Sequence, residues 1–297
     1  MTPEPAPGST LTLVEAPAHT PSDGAVGYRE SRVRAAIGHV VLGLLGLACI
    51  VPVYWLYATS LRAPEDVYSL ALFPWPLSGA SYVEAWGAVD MPRLLLNTFV
   101  MAAMIALGQL LTGLLAGYAF AAYRFRFQNA LYLAFVATWL VPFQVTMVPN
   151  YVLLNQLGTL NTVAGVIIPN LCSALAVIML RSHVRSVPFE LLEAARMDGR
   201  SAWSTLWTVV VPNLGPALAA LGVLLFVNAW NEYFWPALVL QRTDAVLQLG
   251  LRSFMGTEGN DWGPLMATAG LTCLPVLLLY LVLQRRIVDG FVRSGLK

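Results

Sequence analysis

Charged residues are scarce in this chain of 297 residues, because only 11% are Asp, Glu, Lys or Arg, against about 25% in a typical soluble domain. Hydrophobic residues make up 58% and the mean hydropathy is +0.67. This balance excludes an ordinary soluble domain and predicts a membrane protein. The formal net charge is only +1, which argues against a nucleic acid partner, because binding to phosphates requires a basic patch.

Lysine is nearly absent, and this limits the chemistry that the chain can perform. A phosphate-binding loop of the G-x-x-x-x-G-K-[ST] type needs a lysine on the phosphates. The one lysine of this chain, Lys297, is its last residue. If ATP drives this protein, hydrolysis is therefore expected on a separate polypeptide.

Cysteine and histidine are also rare and widely spaced, which argues against a metal site or a catalytic centre. The patterns H-E-x-x-H and G-x-S-x-G do not occur. The cysteines lie in apolar runs and are predicted to be small buried hydrophobes without a disulfide or metal role. The residues concerned are Cys49, Cys172, Cys273, His19, His39 and His183.

Long apolar runs are what the sequence does contain. A transmembrane helix needs about 20 apolar residues, and six runs meet this length. They lie at 36–58, 94–122, 130–153, 163–180, 217–240 and 265–283. The predicted fold is therefore an all-α membrane protein with six transmembrane helices, in which Pro52, Pro142, Pro149 and Pro169 either kink the helices or mark their ends.

The positive charges predict the orientation of these helices. Four arginines fall on one predicted side, Arg62, Arg93, Arg242 and Arg252. Thirteen positive residues fall on the other: Arg29, Arg32, Arg34, Arg124, Arg126, Arg181, Arg185, Arg196, Arg200, Arg285, Arg286, Arg293 and Lys297. Because Lys and Arg are retained in the cytoplasm, both termini are predicted to be cytoplasmic.

The first 28 residues are rich in Pro, Gly, Ser, Thr and Ala, and they are predicted to be a disordered cytoplasmic tail. The alternative is a cleaved signal peptide. Its apolar region would be longer than usual and would begin late, so an uncleaved first transmembrane helix is favoured. The rest of the chain, 29–297, is predicted to form one transmembrane domain.

One loop, 186–216, between the fourth and fifth apolar runs, concentrates charged residues. Glu190 and Glu193 suit the positive end of a short helix that Pro188 begins and Gly199 ends. Ser201 is placed to cap a second helix, on one face of which Trp203, Leu206, Trp207 and Val210 are predicted to lie. Two interpretations remain open: a projecting element that a partner binds, or interfacial helices anchored by Trp203 and Trp207.

The spacing in this loop resembles a known family. Glu193, Ala194 and Ala195 are followed by three residues and Gly199, then by nine residues, Val209, Val211 and Pro212. This is similar to the cytoplasmic EAA loop of ATP-binding-cassette importer permeases, with Val209 and Val211 where the family usually has Ile and Leu. The segments 141–171, 228–240 and 284–297 are similar to one branch, the carbohydrate-uptake permeases related to the second maltose-permease subunit.

The resemblance implies a type I importer in the inner or plasma membrane of a prokaryote. This chain would be one of two permease subunits, and its partner is expected to be a different six-span chain. Two ATPase subunits would bind the ATP and Mg, so no cofactor is expected on this chain, and an extracytoplasmic protein would deliver the sugar. In the family the EAA loop contacts the ATPase. The resemblance therefore assigns this contact to the following residues of the chain: Glu190, Glu193, Ala194, Ala195, Met197, Asp198, Gly199 and Pro212.

Polar residues inside the fifth apolar run are candidates for the translocation pathway, because ionisable groups in a membrane helix are costly. Glu232 is the only acidic residue there. In a continuous helix, Asn228, Glu232 and Trp235 share one face and Asn231 lies beside it. Polar groups and aromatic faces suit a sugar. The alternative is that Glu232 hydrogen-bonds another helix and the aromatic residues form an interfacial belt.

Other functions fit the sequence less well. An importer for a polyol, a glycerophosphodiester or an amino acid would carry the same loop. A secondary transporter driven by an ion gradient would be expected to have several acidic residues in the membrane or broken helices in repeated halves. A membrane enzyme would need a nucleophile with a base, or a metal cluster, and neither pattern is present.

Overall fold

The computed structural model describes residues 32–241, 245–256 and 259–295, and the side chains of 35–284 within these ranges. The predicted tail, 1–28, and the positive residues near both termini lie outside the described side chains. Fourteen α-helices form within the described residues: α1 Arg32–Ser60, α2 Ala80–Ala88, α3 Met91–Ala122, α4 Gln128–Leu140, α5 Phe143–Gln156, α6 Val163–Ile167, α7 Ala174–Arg185, α8 Phe189–Met197, α9 Ala202–Thr205, α10 Val211–Asn213, α11 Gly215–Trp230, α12 Phe234–Val239, α13 Leu247–Gly250 and α14 Trp262–Gly295.

The chain forms two compact units, and the boundary between them lies within α1, between Ile50 and Val51. The described part of the first unit is helical and apolar and contains no proline. The second unit, from Val51 onward, contains the rest of α1, with Pro52, and all the other helices. Its buried cluster includes Met101 of α3, Leu180 of α7 and Leu225 of α11.

The central helix of the second unit is α3, which is 32 residues long. The Asp90 side chain caps its first turn by accepting a hydrogen bond from the backbone N–H of Arg93, at 3.3 Å. The helix α3 packs along α7 and α11, and α11 packs in turn along α14. Small residues allow the close contact with α7: a Cβ atom built on Gly117 would lie 2.8 Å from the backbone N of Arg181.

Four helical stretches are long and apolar enough to cross a membrane: Ala35–Ser60, Met91–Ala122, Gly215–Val239 and Trp262–Gln284. Two further stretches qualify only as bent pairs. The axes of α4 and α5 differ by 96° at Pro142, and those of Val163–Asn170 and Ala174–Arg185 differ by 44°. Within the described residues, four stretches are therefore long and apolar enough to cross a membrane, or six if each bent pair crosses as one.

The fifth predicted membrane stretch is found at Gly215–Val239, but it is not one continuous helix, because α11 ends at Trp230 and α12 begins at Phe234. The expectation for the cysteines is wrong. The cysteines are not buried: all three are exposed on the surface of the chain. Apolar runs in a membrane protein need not face its own core, because lipid and neighbouring subunits also cover apolar side chains.

Candidate functional site

The helix α8 begins and ends as the sequence predicts, to within one residue. Pro188 stands immediately before the first turn as its N-cap, rather than inside it. Glu190 lies in that first turn, where a carboxylate interacts favourably with the positive end of the helix dipole. The last turn contains Arg196, a favourable charge at the opposite end.

The end of α8 is fixed by two backbone hydrogen bonds around Gly199. The N–H of Gly199 donates to the carbonyl of Arg196 and the N–H of Arg200 donates to that of Ala195, both at 3.0 Å. This is the Schellman motif, which requires a left-handed residue at its turn. Gly199 supplies it with φ of +73°, and so the predicted stop at Gly199 is confirmed.

The two faces of α8 have different environments. Leu192 and Ala195 are buried against the rest of the chain, with Ala195 only 4% exposed. The open face is acidic and apolar: Glu190, Glu193, Ala194 and Asp198 are exposed, and Met197 is 87% exposed. Of the residues expected to contact an ATPase, Ala195 therefore packs inward, while the others, including Gly199 and Pro212, are exposed.

The second half of the loop is helical but not a regular α-helix. The Ser201 side chain accepts a hydrogen bond from the backbone N–H of Ser204 at 3.2 Å, which confirms the predicted cap. After α9 the chain forms a π turn over Leu206–Val210. Such a turn holds more residues than an α turn and changes which side chains align.

The predicted single apolar face of this half is wrong. Leu206 and Val210 are buried, whereas Trp203 is 61% exposed and Trp207 is also exposed. The two tryptophans pair edge to face, with ring centroids 5.5 Å apart. The π turn separates the side chains that pack into the chain from the aromatic pair that does not.

The loop is attached to the end of α3 by side chains that the sequence reasoning missed. The Arg196 guanidinium donates to the carbonyl of Ala122 at 2.9 Å and lies over the ring of Tyr123. The Tyr118 hydroxyl lies 3.2 Å from that of Tyr123 and donates to the carbonyl of Ala202 at 3.3 Å. These partners are 74 to 84 residues apart in the sequence, so no local spacing could have indicated them.

The candidate pathway residues do not form one face. Asn228 and Asn231 are exposed, and the Asn231 amide donates to the carbonyl of Val227 at 3.0 Å. Glu232 lies in the break after α11, where its carboxylate accepts a hydrogen bond from the backbone N–H of Trp235 at 3.2 Å. Its side chain thus satisfies a backbone N–H in the first turn of α12, from a position just before the N-cap Tyr233, instead of projecting from a continuous helix.

Trp235 is 1% exposed and meets Phe143 of α5 edge to face, with ring centroids 5.8 Å apart. It is part of the packed interior of this chain. The expectation that it shares an open face with Asn228 is wrong, because the break between α11 and α12 turns the chain before Trp235 is reached.

No group of three or more His, Cys, Asp or Glu residues able to hold a metal ion is found within the described residues. Two adjoining cavities of about 250 and 240 Å³ lie beside the start of α14 and share Val67, Tyr68 and Trp262. Asp261 lines the smaller one.

Comparisons with known proteins give a consistent result. Residues 109–293 match the family model described as "Binding-protein-dependent transport system inner membrane component". The chain is 31% identical, over 267 residues, to an sn-glycerol-3-phosphate transport system permease protein of Yersinia pestis, a match that covers 86% of this chain and 95% of the relative. It is 32% identical, over 202 residues, to an arabinooligosaccharides transport system permease protein of Halalkalibacterium halodurans, covering 68% and 72% of the two chains.

A solved structure shares the fold. It is a chain of a bacterial ABC transporter involved in the import of the acidic polysaccharide alginate, and it superimposes with a TM-score of 0.72. The match covers 86% of this chain and 97% of the other, at 23% identity.

Proposed function

Because the chain belongs to the family of binding-protein-dependent transport system inner membrane components, we propose that it is the permease subunit of an ATP-driven sugar importer. In this proposal it forms half of the translocation pathway and contacts a separate ATPase through the loop 186–216. The observation that carries the proposal is the family match over residues 109–293, which includes the whole of that loop.

The sugar is inferred from relatives. An arabinooligosaccharides permease is among them, and a carbohydrate also agrees with the alginate importer, which shares the fold. A second candidate is a phosphorylated polyol, because sn-glycerol-3-phosphate permeases match over a larger share of the chain. Comparing the uptake of labelled arabinooligosaccharide with that of labelled sn-glycerol-3-phosphate distinguishes these two candidate substrates.

The proposed assembly contains two permeases, this chain and a different six-span chain, with two ATPase subunits and an extracytoplasmic sugar-binding protein. ATP and Mg are bound by the ATPases, and this chain is not itself an enzyme. Both termini face the cytoplasm of a prokaryote, as the distribution of arginine supports. The loop 186–216 is then cytoplasmic, and the segment between α12 and α14 is external.

The open face of α8 is proposed to be the ATPase contact. The helix α8 is short, is preceded by Pro188 and is ended by the Gly199 motif, so docking would cost little conformational entropy. The exposed Glu190, Glu193 and Asp198 provide acceptors, and the exposed Met197 provides an apolar side chain for a cleft. This arrangement favours a docking element over a helix lying on the membrane, because acidic residues line its free face.

The pathway proposal is revised by the break after Trp230. Asn228 and Asn231 remain candidates for contact with solute, because both are exposed polar residues at the end of α11. Glu232 is proposed to stabilise the break by accepting a hydrogen bond from the backbone N–H of Trp235 in the first turn of α12. Trp235 supports the break from inside and is not proposed to touch the solute.

The experiment that tests the proposal is purification of this chain from its native membrane through a C-terminal tag, followed by mass spectrometry. We expect a P-loop ATPase and a second six-span permease in stoichiometric amounts. Glu193→Lys should remove the ATPase while the chain stays inserted, and Glu84→Lys, a charge reversal on the exposed face of α2, should not. Recovery of the chain alone, active in ion-driven uptake, would show that the proposal is wrong.

A further inference from the structure

The first end of α3 is joined to a distant segment by hydrogen bonds. The Asn97 amide donates to the carbonyl of Ala245 at 2.8 Å. The backbone N–H of Leu247 donates to the hydroxyl oxygen of Thr98 at 2.9 Å, where both residues are buried. That hydroxyl also donates to the carbonyl of Leu94 at 2.7 Å, so its orientation is fixed. Residues 245–247, which include the first residue of α13, are thus attached to α3 and not only to their neighbours in sequence.

The second end of α3 holds the loop 186–216, as described above. Tyr118 donates to the carbonyl of Ala202, and the carbonyl of Ala122 accepts from Arg196. From Thr98 to Ala122 the helix rises by about 36 Å, at 1.5 Å per residue. This exceeds the roughly 30 Å of a bilayer's hydrocarbon core. If α3 crosses the membrane, as its length and composition allow, the attachments at Thr98 and Ala122 lie near opposite faces of the bilayer.

Between these ends α3 is suited to move as one body. Its only proline, Pro92, lies in the first turn, where it does not disturb the helix. Further along, a Cβ atom on Gly113 would lie 2.8 Å from the Cβ of Ala176, and one on Gly117 would lie equally close to the backbone of Arg181. Contact this close leaves α7 little room to slide independently of α3.

We propose that α3 connects the two faces of the transporter: a displacement of the external segment that begins at Ala245 is carried by α3 to the loop 186–216. The inference rests on the proposed function, which supplies the external binding protein and the ATPase. Asn97, Thr98 and Tyr118 are positioning residues in this mechanism, because they touch neither solute nor ATP. Through them, a loaded binding protein outside stimulates ATP hydrolysis inside.

The test uses the complete transporter in lipid nanodiscs, with ATP hydrolysis measured with and without the loaded binding protein. Thr98→Val removes the acceptor for Leu247, and Tyr118→Phe removes the donor to Ala202. Each should leave the basal rate unchanged and lower the stimulation at least fivefold, about the lower end of typical coupling between sites. Thr98→Ser, which keeps a hydroxyl at this position, should retain the stimulation by the loaded binding protein. Thr272→Val is the matched control, because within the described residues that hydroxyl donates to the carbonyl of Thr268 in its own helix.

The double variant of Thr98 and Tyr118 separates a shared route from two independent defects. Along one route, the second substitution adds little to the first, whereas independent effects multiply. Unchanged stimulation in both single variants, an equal loss in Thr272→Val, or a multiplicative loss in the double variant would each overturn the proposal. If Thr98→Val prevents assembly, Asn97→Ala tests the same attachment from a half-buried side chain. A complex without an ATPase would instead refute the proposed function itself.

Discussion

Gly199 offers a direct test of how the loop 186–216 is built. Its φ is +73°, a region that costs an L-residue about 1–2 kcal/mol. A Cβ atom there would meet nothing within 4 Å, so Gly199→Ala should carry this conformational cost without a steric clash. The cost corresponds to a roughly 5- to 30-fold shift toward the open turn. Gly199→Asn should cost less, because Asn accepts the left-handed conformation.

Hydrogen exchange of the purified protein, followed by mass spectrometry on peptides covering α8 and Gly199, measures this shift. The amides of Gly199 and Arg200 donate the two bonds of the motif, and they should exchange 5- to 30-fold faster in the Ala variant. Gly215→Ala is the control, since a Cβ atom there also meets nothing within 4 Å and no positive φ is required. Equal exchange in the wild type and Gly199→Ala would refute the reasoning.

Two further predictions concern helix contacts. Gly117→Ala should destabilise the protein by about 1–3 kcal/mol, because the added Cβ would lie 2.8 Å from the backbone of Arg181. Denaturation of the purified protein measures this loss of stability. In the control Gly87→Ala the added Cβ meets nothing within 4 Å, so stability should not fall. Glu232→Ala should cost about 1 kcal/mol through loss of the hydrogen bond from the Trp235 N–H. Glu232→Gln, which keeps an acceptor oxygen, should keep both stability and uptake; loss of uptake in the Gln variant alone would show that the charge itself serves transport.

Local signals in the sequence predicted local structure well. Gly199 and Ser201 mark a helix stop and a cap, because a left-handed turn and a side-chain acceptor are requirements of single positions. The apolar runs gave the approximate positions of the membrane helices, since length and composition alone decide whether a helix can cross a bilayer. The exposed acidic face of α8 was likewise indicated by its own residues.

Contacts between distant segments could not be predicted from one sequence. The inward position of Ala195 depends on which face of α8 meets the rest of the chain, and the periodicity of a nine-residue helix leaves this open. The break before α12 was missed although Pro236 signals it: a proline has no N–H to donate to the carbonyl four residues earlier, here Glu232, and so disfavours a continuous helix at this point. The bond from Arg196 to Ala122 joins residues 74 positions apart, and only the fold brings them together.

The bend between α4 and α5 has a consequence for how this part of the chain can sit in a bilayer. With 13 and 14 residues, these helices are about 20 and 21 Å long, so neither alone crosses a hydrocarbon core of roughly 30 Å. If the pair crosses the membrane, backbone groups at Pro142 lie at a depth where lipid offers no hydrogen bonds. No side chain of α4 is buried in this chain. In that case a neighbouring subunit or a water-filled cavity must cover the bend, and the two halves of the span depend on assembly for a stable place in the bilayer.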